Sequence, residues 1–320
     1  MEPIRAFARP MDMTQPTPDH HGIVYRRAAL DEGYTDKQLN RRVDDATMTR
    51  IWSGAYVLNT GETRTPEELH RLTAIAAVTS SPDSGFALSH QSAGVLHGLS
   101  LLTPQLDRVH LSTGYATGAR LEKRRHLHSG ALDDAETVVV DGIRVTSLER
   151  TVVDIACSVG FAQALAAFDS ALRNGADAAV IAEYLEGHKR GVGQARRALA
   201  HADPGAENAG ESWGRAQLIC GGLPTPRLQH EFYDDKGVFV ARTDYDWLGK
   251  LAAEFDGMAK YQRYLADGET AFDAMRREKE REDALRRLGV MVIRWVWEDL
   301  RRNRVVPMVR EWLDRLGIAA

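Results

Sequence analysis

The chain has 320 residues, 43% hydrophobic and 27% charged, with 41 Lys+Arg against 45 Asp+Glu for a formal net charge of -4. That length and balance exclude a disordered chain or a disulfide-stapled miniprotein and leave room for two or three domains with their own cores. No stretch nears the ~18 consecutive apolar residues of a membrane span, Met1 to Asp19 lacks an apolar signal core, and the net negative charge, taken at face value, argues against a nucleic-acid partner.

Residues 1–21, with Pro3, Pro10, Pro16 and Pro18, read as a flexible leader. Residues 22–62 follow a different logic. Arg27 to Glu32 is helix-like, Gly33 suits a tight turn, and Thr35 opens a second helix whose capping box is completed by Gln38. Leu39 and Val43 then face inward, which leaves Lys37, Gln38, Arg41 and Arg42 outward; Arg50 to Leu58 reads as a hairpin around Ser53-Gly54. Helix, turn, helix and wing is the order of a winged helix-turn-helix, so Lys37, Gln38, Arg41, Arg42 and Arg50 are the candidate DNA contacts. The plainer alternative is a small helical cap with a solvated face, because Asp36, Asp44 and Asp45 nearly balance these bases.

Residues 63–200 mix amphipathic helices with short strands. Ser89 to Gly98 is a helix ending at Gly98, Arg108 to Thr113 alternates like a strand, Val138 to Val145 reads as a hairpin around Asp141-Gly142, and Leu165, Phe168 and Leu172 mark a helical stripe. His90 and His97, seven apart, share a helix face, but no Cys or acid clusters with them to complete a metal site, so both read as structural or surface residues. Arg120 to His128 is either a phosphate-touching segment or a solvated loop. Charge is uneven here: 101–130 carries five bases against two acids, whereas 131–186 carries ten acids against three bases. A ligand senses charge only within ~8–10 Å, so the global value hides basic segments. Cys157 and Cys220, both in apolar surroundings, read as buried thiols in a reducing cytoplasm.

Residues 201–210, HADPGAENAG, read as a linker to a last domain over 211–320. There Glu211 to Cys220 is a helix, followed by strands over Leu228 to Phe232, Val238 to Trp247 and Lys250 to Asp256. A three-residue loop centred on Gly249 sets Asp244 opposite Glu254, with Asp256 on the same face. Such acids repel unless a cation joins them, and hard oxygen ligands suit Mg²⁺ or Mn²⁺, which polarises a phosphate and activates water. Lys260, Lys279 and Arg281 are candidates to offset transition-state charge. The alternative is a set of solvated acids on an edge hairpin. A helix over Phe272 to Leu288, with Phe272, Met275, Leu285 and Leu288 apolar, a strand over Val290 to Trp297 and a final helix over Asp299 to Leu316 complete the chain.

Two resemblances sharpen this reading. The helix ending in Gly33, the helix Thr35 to Asp45 and the aromatic wing Trp52 to Tyr56 resemble the N-terminal winged helix of AbiEi-type antitoxins of type IV toxin-antitoxin systems, and VTSLERTVVDIA (Val145 to Ala156) is loosely similar to the segment that follows it. That resemblance implies autoregulatory DNA binding and a cognate toxin as partner. The C-terminal elements (Glu211 opening a helix, Arg242-Thr-Asp244-Tyr, Glu254-Phe-Asp256-Gly257, Arg281-Glu-Asp-Ala-Leu285 and GVMVIRWVWED) resemble the PD-(D/E)xK nucleases, in particular the branch related to very-short-patch-repair (Vsr-type) endonucleases. The resemblance assigns metal binding to Asp244 and Glu254, prefers Asp244 over Asp246 as first acid, and adds Glu211 as a further metal-associated acid. One departure stands out: Asp256 occupies the place of the family's lysine, and Lys260 is the candidate substitute.

The expectation is therefore a multi-domain α/β chain, made of a winged helix-turn-helix, an α+β middle domain and a restriction-endonuclease-like α/β domain with a mixed sheet. It would be cytoplasmic, bind double-stranded DNA and no membrane, and hydrolyse phosphodiesters with Mg²⁺ through Glu211, Asp244, Glu254 and Lys260, with Asp256 as a further metal ligand. The alternative is a non-catalytic autoregulator or antitoxin on an inactive nuclease-like fold.

Overall fold

In the computed structural model, residues 15–80, 85–115, 118–187, 189–257 and 271–319 are described. The expected catalytic Lys260 and the first fourteen residues of the expected leader lie outside them. Among the described residues the chain is α/β, with a three-stranded, a four-stranded and a six-stranded sheet, and it divides into two compact units, residues 1–96 with 105–146, and residues 97–104 with 147–320.

The first unit begins earlier than the sequence suggests. The Asp19 carboxylate accepts the amides of His21 and Ile23, which ties down the end of the expected leader. Then β1 (Ile23–Tyr25), α1 (Arg26–Asp31), α2 (Asp36–Asp44), β2 (Met48–Trp52) and β3 (Ala55–Leu58) follow, the strands forming an antiparallel sheet in the order β1-β3-β2. Gly33 takes φ +95°, the left-handed turn that lets α2 start, and Thr35 and Gln38 form the reciprocal capping box. Val24, Ala29, Tyr34, Leu39, Met48 and Tyr56 form one small core.

The same unit continues through α3 (Pro66–Thr79), β4 (Ala87–Leu88), α4 (His90–Leu96), β5 (Val109–Ser112), β6 (Arg120–Leu121), β7 (Arg125–His128), β8 (Thr137–Val140) and β9 (Ile143–Thr146). Its larger sheet runs β6-β7-β5-β4-β9-β8, with β4 parallel to β9 and β5 parallel to β7. The segment read as a phosphate-touching or solvated loop is thus largely strand. Ile23, Ile51 and Val57 of the small sheet share a core with Ile75, Leu88, Val109 and Val145. Burying apolar area in common makes the helix-turn-helix part of a larger unit, so the boundary expected after residue 62 is absent from the packing.

The second unit contains α5 (Leu148–Ser158), α6 (Phe161–Arg173), α7 (Ala178–Tyr184), α8 (Val192–Leu199), α9 (Ala209–Cys220), β10 (Arg227–Tyr233), β11 (Phe239–Trp247), β12 (Leu251–Asp256), α10 (Ala271–Arg287), β13 (Met291–Val296), α11 (Trp297–Arg301) and α12 (Val305–Arg315). From α9 to β13 the order is α-β-β-β-α-β, on a mixed sheet β10-β11-β12-β13 whose last pair is parallel. Residues 201–210 are not a free linker. Ala206 and Ala209 are buried, Arg173 donates to the Ala206 carbonyl, and the Asp203 amide donates to Asp169.

Three further expectations are corrected. Phe272 is 74% exposed, while Leu285 is fully buried and Leu288 half-buried. The final helix is broken into α11 and α12, because Asn303 adopts φ +52°, a left-handed conformation that asparagine tolerates better than most residues. Both cysteines are free, but Cys220 is exposed and only Cys157 is half-buried.

Candidate functional site

On α2, Leu39 is buried and Val43 half-buried, so the helix is anchored by its inner face. Lys37 and Arg41 project outward; the Arg41 side chain is 82% exposed, with an Asp45 carboxylate at 3.5 Å. The other expected contacts are more constrained. Gln38 Oε1 accepts the Thr35 amide as part of the cap, and Arg42 sits over the Tyr34 ring at 5.7 Å. Arg50 donates from β2 to Asn40 Oδ1 on α2 at 2.7 Å and lies over Tyr56 at 5.4 Å. The hairpin is thereby braced against the helix, which fixes both basic elements in one geometry.

In the second unit, the three-residue loop centred on Gly249 is present: Tyr245 pairs with Ala253 and Trp247 with Leu251. Continued by one residue, this register sets Asp244 against Glu254, but pairing stops there, while β12 stays paired to β13 as far as Asp256. In the gap the Asp244 carboxylate accepts the Phe255 amide at 2.8 Å. Glu211, on the first turn of α9, is buried and accepts the Glu207 amide and the Gln229 side-chain amide. Glu211 and Asp244 both flank Tyr245, whose hydroxyl is raised well above its ordinary range by burial and then by these two acids. Asp246, the rival first acid, has a turn-forming role instead: it accepts the Gly249 amide at 2.9 Å and pairs with Arg227.

Glu254 departs most from expectation. Its carboxylate is held by Arg281 of α10 at 2.5 and 2.8 Å and by Arg294, its neighbour on β13, at 3.0 Å. Arg281 also pairs with Glu278, and Arg294 with Glu278 and Glu282. The cation expected to neutralise this acid is therefore supplied by two guanidiniums. Among the described residues, Glu211, Asp244, Glu254 and Asp256 form no three-ligand cluster. Lys279 is exposed on α10.

Burial alone would raise the Glu254 carboxyl; the two arginines more than offset it and hold the group below its ordinary 4.5. A folded-state pKa below the unfolded one means stability that is present above that range and lost as pH falls through it. Glu254→Gln should therefore flatten the fall in urea midpoint below about pH 5. An acid limb identical to that of the parent chain would refute the coupling.

His97 lies beyond the end of α4, whereas His90, at its start, approaches His110 and His128. The missed signal is the alternation of His126 and His128 on one strand, with His110 on another.

No protein-family model matches the chain. Uncharacterized proteins from two strains of Mycobacterium tuberculosis are 28% identical to it over 299 residues, covering 89% of this chain and 99% of their own. The crystal structure of the RV2827C protein from Mycobacterium tuberculosis is similar over 66% of this chain and 83% of that one, at 14% identity and a TM-score of 0.39, a likeness too slight to define a shared fold. Among the described residues, no helix is long and apolar enough to cross a membrane.

Proposed function

We propose that the chain is a cytoplasmic DNA-binding regulator that engages double-stranded DNA through α2 and the β2–β3 hairpin as a winged helix-turn-helix. The C-terminal α-β-β-β-α-β region is, in this reading, a restriction-endonuclease-like domain used for recognition of DNA or of a toxin partner rather than for cleavage. The observation that carries the DNA reading is the outward pair Lys37 and Arg41 on a helix fixed by its cap and braced to the basic hairpin through Arg50 and Asn40. Preorganised bases of this kind reach phosphates and base edges without ordering a loop first. The engagement of Glu254 by Arg281 and Arg294 favours the non-cleaving role.

The test is a mobility shift with the chain's own promoter DNA across a salt series. The parent protein should bind with steep salt dependence, and Lys37→Ala with Arg41→Ala should abolish the shift, each lost phosphate contact reducing the salt slope by about 1. Salt-independent binding, or an unaffected double variant, would sink this reading. A second reading, Mg²⁺- or Mn²⁺-dependent cleavage, is favoured by Asp244 at the parting of β11 and β12, with Glu211 also acting on the neighbouring Tyr245. Plasmid nicking in Mn²⁺ that disappears in both Asp244→Ala and Glu254→Ala would establish it in place of the first.

A further inference from the structure

β5 and β7 pair in parallel, with His110 beside His126 and Ser112 beside His128. Side chains alternate along a strand, so these four residues share one face, while Val109, Leu111 and Leu127 are buried on the other. The chain leaves β4, which is paired to β5, through Ser89, whose amide donates to the His110 carbonyl. The next residue is His90, with φ +49°. A left-handed conformation is strained at a residue with a β-carbon, and such strain gathers where a side chain must be aimed at a site.

Here it accompanies a ring that lies across the strand face. The His90 and His128 rings stack with centroids 3.7 Å apart, and His110 Nδ1 and His128 Nε2 are 2.9 Å apart. One nitrogen from each of His90, His110 and His128 lies within 4.8 Å of the other two.

We propose that His90, His110 and His128 form a binding site for a divalent transition-metal ion of the zinc type, with the fourth position open to water or an exogenous ligand. A tetrahedral ion with Zn–N bonds of ~2.0–2.1 Å spaces its ligand nitrogens by roughly 3.4 Å. One pair of nitrogens is closer than that and all three lie within 4.8 Å of one another, so ring rotation is what brings the set to this spacing. An all-imidazole set suits zinc, cobalt, nickel or copper and disfavours the hard ions Mg²⁺ and Ca²⁺.

Burial first, then the neighbouring histidines, push His110 and His128 below the ordinary imidazole range. An outer layer holds the backbone around them. Ser92 Oγ accepts the His110 amide and is bonded to His70 Nε2, and the Thr113 amide donates to the His128 carbonyl. The ion would join α4, β5 and β7. The Lys123-Arg124 turn that begins β7 also places Arg124 over the Trp52 ring, with a hydrogen bond to the Ile51 carbonyl.

The test uses the untagged full chain after chelator dialysis, titrated with Co²⁺ and followed by visible absorption, with Zn²⁺ as competitor. The expected result is the intense absorption of tetrahedral cobalt, saturating at one ion per chain and displaced by Zn²⁺. His110→Gln and His128→Asn should each weaken binding by more than the ~10–100-fold that loss of an outer-layer partner causes. His97→Gln, and the His20→Gln with His21→Gln pair, should leave binding unchanged. Absence of the cobalt bands in the folded parent chain would overturn the site. So would equal binding by a triple variant, His90→Gln, His110→Gln and His128→Gln, that keeps the parent's circular dichroism.

Discussion

Arg215→Ala should destabilise the protein by about 3–5 kcal/mol, measured by urea unfolding at neutral pH. Arg215 of α9 and Asp169 of α6 are 3% and 0% exposed at the side chain and 2.7 Å apart. Asp169 also accepts the Asp203 amide, and Arg215 donates to the His201 carbonyl at 2.6 Å. Burial raises the Asp169 carboxyl above its ordinary value, and the Arg215 charge pulls it back. Without Arg215, an acid with no access to water must either stay charged and uncompensated or take up a proton. The loss should therefore shrink as pH falls and Asp169 protonates. An Arg215→Met, Asp169→Leu double variant should recover much of it, since a buried pair replaced by apolar volume is often neutral. A loss under about 1 kcal/mol for the single variant would mean that the pair is not desolvated as described.

Gly210→Leu should be comparably damaging, at more than the ~1–3 kcal/mol typical of an overpacked core. A β-carbon at Gly210 would stand 2.1 Å from Phe255 Cε1, and one at Gly214 would stand 2.7 Å from the Tyr245 hydroxyl. Two glycines four apart give α9 a flat face, and the β12 ring sits directly on it. A side chain there must displace Phe255, whose amide holds Asp244, or lift α9 and with it Glu211. Gly193→Ala is the contrasting case: it lies in α8 with nothing within 4 Å of the added carbon and should stabilise by ~0.5–1 kcal/mol. Equal unfolding midpoints for the Gly210 and Gly193 variants would contradict this packing.

Much of the local architecture was legible because its signals are local. Gly33, the Thr35–Gln38 capping box and the Ser53-Gly54 turn specify the helix pair and hairpin within a few residues of each element. Gly249 likewise fixes the β11–β12 register as far as Tyr245 and Ala253, one residue short of Asp244 and Glu254. What escaped depends on distant partners. Glu254 reads as a metal ligand until parallel pairing of β12 with β13 sets Arg294 beside it and α10 adds Arg281. The histidines sit on three elements brought together by β4–β5 and β5–β7 pairing, which no periodicity announces. Residues 201–210 depart from their linker-like composition for a related reason. Small residues look like a linker in composition, yet Ala206, Ala209 and Gly210 are small because they are packed closely.

The eight residues 97–104 impose an order on synthesis. They belong to the second unit, although the chain on either side of them belongs to the first. Leu99 belongs to the buried core that α5, α6, α7 and α8 share, Leu102 packs with Ala166 and Ala209, and the Ser100 hydroxyl accepts the Ala209 amide. A ribosome delivers this segment long before α9 exists, so its leucines must wait uncovered while the first unit closes. A gene fragment starting at Ser147 would never receive it, and its helical core would fold around a gap.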